Sequence, residues 1–184
     1  YDDVGCLPTS LPADYWRQLE KKGIKSFAFN PFIPVFSVAM NNRDHRKITV
    51  IDGHTAFSGG INLADEYINT KIKYGHWKDN GFWLKGEAVW SYTVMFLNMW
   101  NAFRPEDQSY DAFRPEVWHP EPFRGNGYIQ PYGDTPLDSE VTGENVYLNI
   151  INQAQDYVFI FTPYLIIDNE MITALTLAAK RQVD

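Results

Sequence analysis

Residues 48–58 combine two short β-favouring runs with a strong turn dipeptide between them. The first run is entirely β-branched, which favours an extended strand. The dipeptide Asp52-Gly53 is a common turn in tight hairpins, and Gly59 and Gly60 end the second run. The sequence therefore predicts a β-hairpin at this point of the chain.

Helical and extended patterns alternate along the rest of the chain. The spacing of apolar residues and the stop signals predict helices at residues 13–23, 62–70, 86–103, 144–155 and 169–181. Runs rich in β-branched and aromatic residues predict strands at 24–29, 76–86 and 157–162, the last of them buried. Asn62 and Asp168 are the expected helix N-caps. The alternation predicts an α/β protein in which helices flank a mixed β-sheet.

The chain changes character between residues 105 and 140, where prolines, glycines and acidic residues are frequent. This composition predicts a loop-rich linker. Residues 1–104 are then most of a first domain, and residues 141–184 are the start of a second. The chain begins without methionine and stops where an α/β rhythm would continue with a strand, so both ends are interpreted as cuts in a longer protein.

Composition excludes several classes of function. The formal net charge is -7, and the isoelectric point is about 5.0, which argues against a broad electrostatic contact with nucleic acid or an anionic membrane. The single cysteine, Cys6, cannot form an internal disulfide. No segment approaches the roughly 20 apolar residues of a membrane-spanning helix, so the chain as given is expected to be soluble.

The residues with the clearest chemical potential cluster around the hairpin. In chain order they are His45, Lys47, Asp52, Gly59, Gly60 and Asn62. The first three form the pattern H-x-K-x4-D, and the others extend it as Gly-Gly-x-Asn. A pattern of this length is rarely produced by chance, and its residue types suit phosphodiester chemistry.

Each part of the pattern has a role that a phosphate group requires. An extended strand places His45 and Lys47 on one side, so that an imidazole and an ammonium group converge. A neutral imidazole can attack phosphorus, and lysine supplies positive charge to the non-bridging oxygens. Gly60 and Asn62, at the start of the predicted helix, would bring backbone N–H groups towards the same oxygens.

A catalytic histidine requires a partner that fixes the orientation of its ring. Asp52 has the opposite strand parity from His45, which makes it more suited to bracing the hairpin turn. Asp79 is the preferred orienting carboxylate, and Asp65 and Glu66 are the alternatives.

The segment NNRDHRKITVIDGHTAFSGGINLADEY closely resembles the first HKD motif of the bacterial cardiolipin synthases, which belong to the phospholipase D superfamily. The segments YDDVG, WKDNGFWLKGEAV and FTPYLIID resemble that family in the same order. One departure is Glu87, which stands where the family usually has proline. The resemblance covers nearly the whole chain and implies an incomplete phospholipase D-like fold.

The resemblance also implies specific roles. His45 would be the nucleophile that forms a phosphohistidine, Lys47 and Asn62 would be phosphate ligands, and Asp79 would orient His45. One phosphatidylglycerol would transfer its phosphatidyl group to a second, giving cardiolipin and glycerol. No metal or organic cofactor is implied.

The family uses two HKD motifs, and these residues contain only the first. The expected partners are therefore the second HKD half of the same enzyme, phosphatidylglycerol and other anionic phospholipids, with no nucleic acid. The chain alone is expected to be inactive, although a homodimer would bring two copies of His45 together. The parent enzyme is expected at the bacterial cell membrane.

Two alternatives to this function remain open. The first is another activity of the superfamily, a phospholipase or a nuclease. The second is a non-catalytic lipid-binding fragment, which a buried His45 would favour and an exposed His45 beside Lys47 would disfavour. The phenylalanines between residues 27 and 36 suggest either a core cluster or a membrane contact, and Arg43 and Arg46 extend a small basic cluster around Lys47.

Overall fold

The computed structural model describes residues 1–2, 11–31, 43–104, 109–119, 122, 125, 127–135, 139–162 and 164–184. By its internal contacts the chain divides into two units, Tyr1–Pro131 and Tyr132–Asp184. Cys6 and two phenylalanines of the predicted aromatic cluster, Phe32 and Phe36, lie outside the described residues.

The first unit begins with helix α1 (Tyr15–Glu20), which confirms the centre of the first predicted helix. The strand predicted at residues 24–29 does not form in the described part of the chain. Only Phe29 pairs there, in an isolated parallel bridge with Asp2. A strand requires a continuous partner for its N–H and C=O groups, and one bridge does not supply it.

The predicted hairpin is confirmed. Strand β1 (Thr49–Ile51) pairs antiparallel with β2 (Thr55–Gly59). Asp52 and Gly53 between them have φ angles of 52° and 71°. Positive φ at both residues is what a tight turn needs to match the right-handed twist of the strands, and aspartate and glycine accept it readily.

Strand β3 (Gly81–Lys85) confirms the strand predicted in that region and pairs antiparallel with β2. The result is a three-stranded sheet in the order β1-β2-β3. The α/β class is therefore confirmed. The named strands are all antiparallel, and parallel pairing among the described residues of this unit is limited to the bridge between Asp2 and Phe29.

Residues 62–70 form turns instead of the predicted helix. The N–H of Ala64 donates to the carbonyl of Asn62, and Asn69 has a φ of 60°, which are both incompatible with a helical ladder. Leu63 and Ile68 are exposed, so little apolar surface is buried that could stabilise so short a helix. The prediction that Asn62 is a helix N-cap is therefore wrong.

Helix α2 (Val89–Phe103) confirms the longest predicted helix and packs on the sheet. The fully buried side chains at this contact are Ala56, Leu84 and Val89. Thr93 and Leu97 are buried further along the same helix face. The spacing of these positions explains why the helix forms, because its buried residues recur at intervals of four.

We expect Leu84→Ala to lower the free energy of unfolding by about 2 kcal/mol or more, since it opens a cavity between the sheet and α2. Leu84 is only 6% exposed. Leu63→Ala is the matched control, because it makes the same change at a fully exposed side chain. Chemical denaturation followed by tryptophan fluorescence measures both, and equal losses would contradict the assignment of the core.

Part of the predicted aromatic cluster packs within the first unit. The rings of Phe27 and Phe29 lie 5.5 Å and 5.0 Å from that of Phe103 at the end of α2. For these two residues the core interpretation is supported over a membrane contact. Within the described ranges, no helix combines the length and apolar character needed to cross a bilayer.

The region predicted as a linker contains one regular element among its described residues, a 3-10 helix at Tyr110–Phe113. The guanidinium of Arg114 lies 4.2 Å from the ring centre of Trp90 on α2, and Trp118 contacts the same ring edge-to-face. This part of the chain therefore packs onto the first unit. The predicted domain boundaries at residues 104 and 140 stay a prediction.

The second unit contains helices α3 (Thr142–Gln153) and α4 (Asn169–Lys180), which confirm two predicted helices. Asp168 caps α4 as expected, since its Oδ1 accepts the N–H of Met171 at 2.9 Å. The two helices pack around a small core of Ile151, Ala174 and Ala178.

The segment 157–162 is extended, but the prediction that it is a buried strand is wrong for the described chain. Phe159 is 78% exposed. Two hydrogen bonds pair the start of the segment with the last residue: Val158 N–H donates to Asp184 C=O, and Asp184 N–H donates to Asp156 C=O. No strand among the described residues of this unit pairs with the segment. Val158 packs against the core of the unit, whereas Phe159, Ile160 and Phe161 are exposed.

Candidate active site

His45 and Lys47 lie in the extended segment immediately before β1. His45 is exposed and Lys47 is half-buried. The Nζ atom of Lys47 donates a hydrogen bond to the carbonyl oxygen of His45 at 2.6 Å, which holds the ammonium group close to the histidine backbone. The structure thus brings these two predicted residues together at the surface.

The segment that carries His45 is fixed on its N-terminal side by ion pairs and hydrogen bonds. Asp2 Oδ2 accepts from Arg43 Nε at 2.9 Å and from the N–H of Asp44 at 3.1 Å. Arg43 Nη2 also donates to the carbonyl groups of Phe29 and Asn30 at 3.1 Å and 2.6 Å. The chain on the N-terminal side of His45 is therefore anchored at several points.

The basic cluster predicted around Lys47 is largely neutralised. Arg43 pairs with Asp2, and Arg46 binds both oxygens of Asp44 through Nε at 2.9 Å and Nη2 at 3.1 Å. Burial tends to raise the pKa of Asp44, but its hydrogen bonds and charge interaction with Arg46 outweigh this and lower the pKa overall. Lys47, by contrast, forms no ion pair of this kind with the residues that the structure describes, and its ammonium group donates to the carbonyl oxygen of His45.

The pKa of Lys47 is lowered. Partial burial disfavours its charged form, and the nearby carboxylates of Asp44 and Asp79 oppose this effect only in part. Asp79 is therefore close enough to Lys47 to act on it electrostatically. Asp79, the residue predicted to orient His45, therefore lies near Lys47.

Asp79 accepts two hydrogen bonds from its own neighbours. Trp77 Nε1 donates to its Oδ2 at 3.1 Å, and the N–H of Asn80 donates to its Oδ1 at 2.8 Å. Asp79 has no hydrogen bond to the His45 imidazole in the described part of the chain, so its orienting role stays a prediction. Of the two alternatives, Asp65 is exposed and Glu66 lies 3.7 Å from Lys73.

Gly60 provides the space that the Asp79 carboxylate occupies. A Cβ atom on Gly60 would lie 2.6 Å from Asp79 Oδ1. The N–H of Gly60 donates to the carbonyl of Asn80 at 3.2 Å. The close approach explains a requirement for glycine here, whereas the phosphate-binding roles of Gly60 and Asn62 remain predictions. Asp52 lies in the hairpin turn that the Asp52-Gly53 dipeptide predicted.

We expect Gly60→Ala to destabilise the fold by about 1 kcal/mol, because the new methyl group displaces the Asp79 carboxylate. Gly127→Ala is the matched control, since a Cβ atom there meets nothing within 4 Å. Thermal unfolding of both variants measures the effect. A Gly60→Ala protein with unchanged stability would contradict the close packing of Gly60 and Asp79.

A cavity of about 630 Å³ opens beside Lys47. Its apolar lining includes Phe57 on β2, Leu63 in the turn after β2, and Trp83 on β3. Sequence reasoning did not select these residues. The sequence did contain a signal for two of them. Phe57 and Trp83 are large aromatic residues next to Ala56 and Leu84 along their strands, so their side chains point to the face of the sheet opposite α2.

Among the residues that the structure describes, the other histidines and acidic groups form no second site of comparable character. His54 Nδ1 contacts Thr55 Oγ1 at 2.8 Å, and His76 is exposed in a turn. Glu144, Asp168 and Glu170 in the second unit have carboxylate oxygens within 4.8 Å of one another. Exposed carboxylates often cluster in this way without an ion, and no role is assigned to them.

The comparisons with known proteins concern the whole chain and not the individual residues of this site. A cardiolipin synthase of a Geobacillus species is 34% identical over 191 aligned residues, covering 100% of this chain. Cardiolipin synthase 1 of Staphylococcus aureus is 35% identical over 187 residues, again covering 100% of the chain. An uncharacterized protein of Streptococcus mutans is 52% identical over 184 residues.

The resemblance to the bacterial cardiolipin synthases is therefore confirmed along the whole chain, and it implies an incomplete phospholipase D-like fold. The chain spans 36%, 37% and 39% of the length of these relatives in the order Geobacillus, Staphylococcus and Streptococcus. No family model and no solved structure matches the chain.

Proposed function

We propose that this chain is part of a phosphatidyltransferase that makes cardiolipin from two molecules of phosphatidylglycerol, and that it carries one of two catalytic half-sites. The similarity of the whole chain to proteins named cardiolipin synthase is the observation that carries this proposal. The exposure of His45 beside Lys47 supports a catalytic role over a non-catalytic lipid-binding role.

In the first step, the neutral imidazole of His45 attacks the phosphorus of one phosphatidylglycerol. A P–N bond forms, the P–O bond to the terminal glycerol breaks, and that glycerol leaves after accepting a proton. Lys47 stabilises the negative charge on the non-bridging oxygens during this step. The proton donor is the histidine of the second HKD motif, which is not among these residues.

In the second step, the hydroxyl group of another phosphatidylglycerol attacks the phosphohistidine. Its proton passes to the same second histidine, the P–O bond of cardiolipin forms, and the P–N bond breaks to restore His45. Asp79 keeps the imidazole in the correct tautomer for both steps. Because the second half-site is required twice, this chain by itself is inactive.

The substrates place the enzyme at the bacterial cell membrane. Phosphatidylglycerol and cardiolipin are membrane lipids, so the active site must reach the surface of the bilayer. The negative charge of this chain means that attraction to anionic lipids depends on local cations such as Lys47, with the remaining parts of the enzyme supplying membrane attachment.

The experiment that tests the function identifies the products that the full-length enzyme makes from phosphatidylglycerol labelled in its terminal glycerol and in its acyl chains. Formation of labelled cardiolipin and free glycerol supports transfer. Phosphatidic acid as the main product would show a phospholipase instead. Cleavage of single-stranded DNA without any lipid product would show a nuclease.

A further inference from the structure

The wall of the cavity beside Lys47 is polar in one part and apolar in another. Lys47, Thr49 and Ser58 supply polar groups, whereas Phe57, Trp83, Leu63, Ile61, Phe82 and Phe96 supply apolar surface. Its volume of about 630 Å³ is within the range of about 300 to 1,000 Å³ that is usual for small-molecule sites.

The apolar wall is exposed although it consists of large side chains. Trp83 is 61% exposed, Phe57 is 44% exposed, and Leu63 is fully exposed. The rings of Phe57 and Trp83 are stacked with their planes 4° apart and their centroids separated by 6.1 Å. The ammonium of Lys85 lies 4.4 Å from the centre of the Trp83 ring and covers part of it. The exposed remainder of this cross-strand pair is an apolar surface that loses little conformational entropy when it is covered.

The charges around the cavity favour a ligand with one anionic group. Four charged residues line it: Asp2, Asp44, Arg46 and Lys47. Asp2 pairs with Arg43, and Asp44 pairs with Arg46, so each of these pairs has no net charge. Lys47 therefore supplies the net positive charge beside the cavity. A ligand that satisfies this cavity carries a single negative charge at one end and an apolar chain at the other.

The geometry points to an acyl-chain site: the phosphate of a phospholipid lies against Lys47, and one of its acyl chains lies on the surface formed by Phe57, Trp83 and Leu63. This inference rests on the proposed function for the nature of the head group. It adds that the protein binds the apolar part of its substrate and does not act on the head group alone.

A nucleobase could also stack on an aromatic pair, but the charges disfavour it. Single-stranded nucleic acid requires a continuous basic groove for successive phosphates, whereas this cavity offers one lysine beside two neutralised ion pairs. The isolated apolar side chain of Leu63 also suits a hydrocarbon chain better than a base.

The test measures binding of this chain to glycerophosphoglycerol, dihexanoyl phosphatidylglycerol and dioctanoyl phosphatidylglycerol by calorimetry, below the concentrations at which micelles form. Wild-type affinity should rise with chain length, by up to about fourfold for each methylene buried. Phe57→Ser and Leu63→Ser should weaken binding of the dioctanoyl lipid at least about tenfold and leave glycerophosphoglycerol binding unchanged. Ile72→Ser, at a side chain that is 82% exposed and outside the cavity, is the matched control.

A second measurement does not depend on the serine variants folding. Phosphatidylglycerol brominated in its acyl chains should quench the fluorescence of Trp83, so Trp83→Phe should lose most of the quenchable signal. Equal affinity for all three ligands in the wild type, equal quenching in Trp83→Phe, or tighter binding of a single-stranded oligonucleotide would overturn the inference. Failure of the proposed function would appear separately, as an enzyme that forms no cardiolipin.

Discussion

Replacing His45 by alanine in the full-length enzyme should lower the rate of phosphatidyl transfer by at least about 10³-fold. In the proposed mechanism the imidazole forms the covalent bond to phosphorus, and alanine offers no atom that can replace it. His45 lies exposed at the surface, so its removal should leave the stability of the fold almost unchanged. Transfer of labelled phosphatidyl groups and thermal unfolding measure the two quantities on the same protein.

The matched control is His76→Ala. His76 is equally exposed and lies in a turn outside the H-x-K pattern, so transfer by this variant should stay close to that of the wild type. If His45→Ala retained normal transfer, or if both variants lost activity equally, His45 would not be the nucleophile.

Replacing Lys47 by glutamine should lower the rate of transfer about 10²-fold, because the proposed mechanism uses its charge to stabilise the phosphate oxygens in the transition state. Lys71→Gln is the control, since it removes the same charge from an exposed turn. Steady-state kinetics should show the loss mainly in kcat/KM. A variant Lys47→Gln as active as Lys71→Gln would contradict a role of Lys47 in binding the phosphate.

The lowered pKa of Lys47 adds a pH dependence to this prediction. The proposed mechanism requires the protonated amine, and burial lowers the pKa of Lys47 below that of an ordinary lysine. Activity of the wild type should therefore decline at the alkaline end of the profile. Lys47→Arg keeps its charge at high pH, so its alkaline limit should lie higher even if its rate is lower. Identical alkaline limits would show that another group titrates.

The elements that could be predicted from sequence are those whose signals are local. The Asp52-Gly53 turn, the four-residue recurrence of buried positions in α2 and the Asp168 cap each depend on a few neighbouring residues, and each was confirmed. The segments at 24–29 and 157–162 have strand-like residues too, but a strand also depends on a distant partner. The described residues supply only isolated pairing for either segment, so propensity alone gave the wrong result.

In the candidate site, too, the features that could be predicted are those that depend on neighbouring residues. His45 and Lys47 could be found because they belong to one short pattern, and the structure places them together. The neutralisation of Arg46 by Asp44 and the contact of Gly60 with Asp79 could not, because each depends on where side chains lie after folding. The helix expected after Asn62 is absent, and two of its apolar residues, Leu63 and Ile68, are exposed and bury no helix face.

The most direct test of the account is to capture the covalent intermediate. The full-length enzyme is mixed with phosphatidylglycerol labelled in its acyl chains, quenched in denaturant at neutral pH within one turnover, digested, and analysed by mass spectrometry. The account predicts a phosphatidyl group on the peptide that contains His45, joined by a bond that acid breaks, as a P–N bond to histidine should be. Product formation with no label at His45, or with label on another residue of this chain, would contradict it.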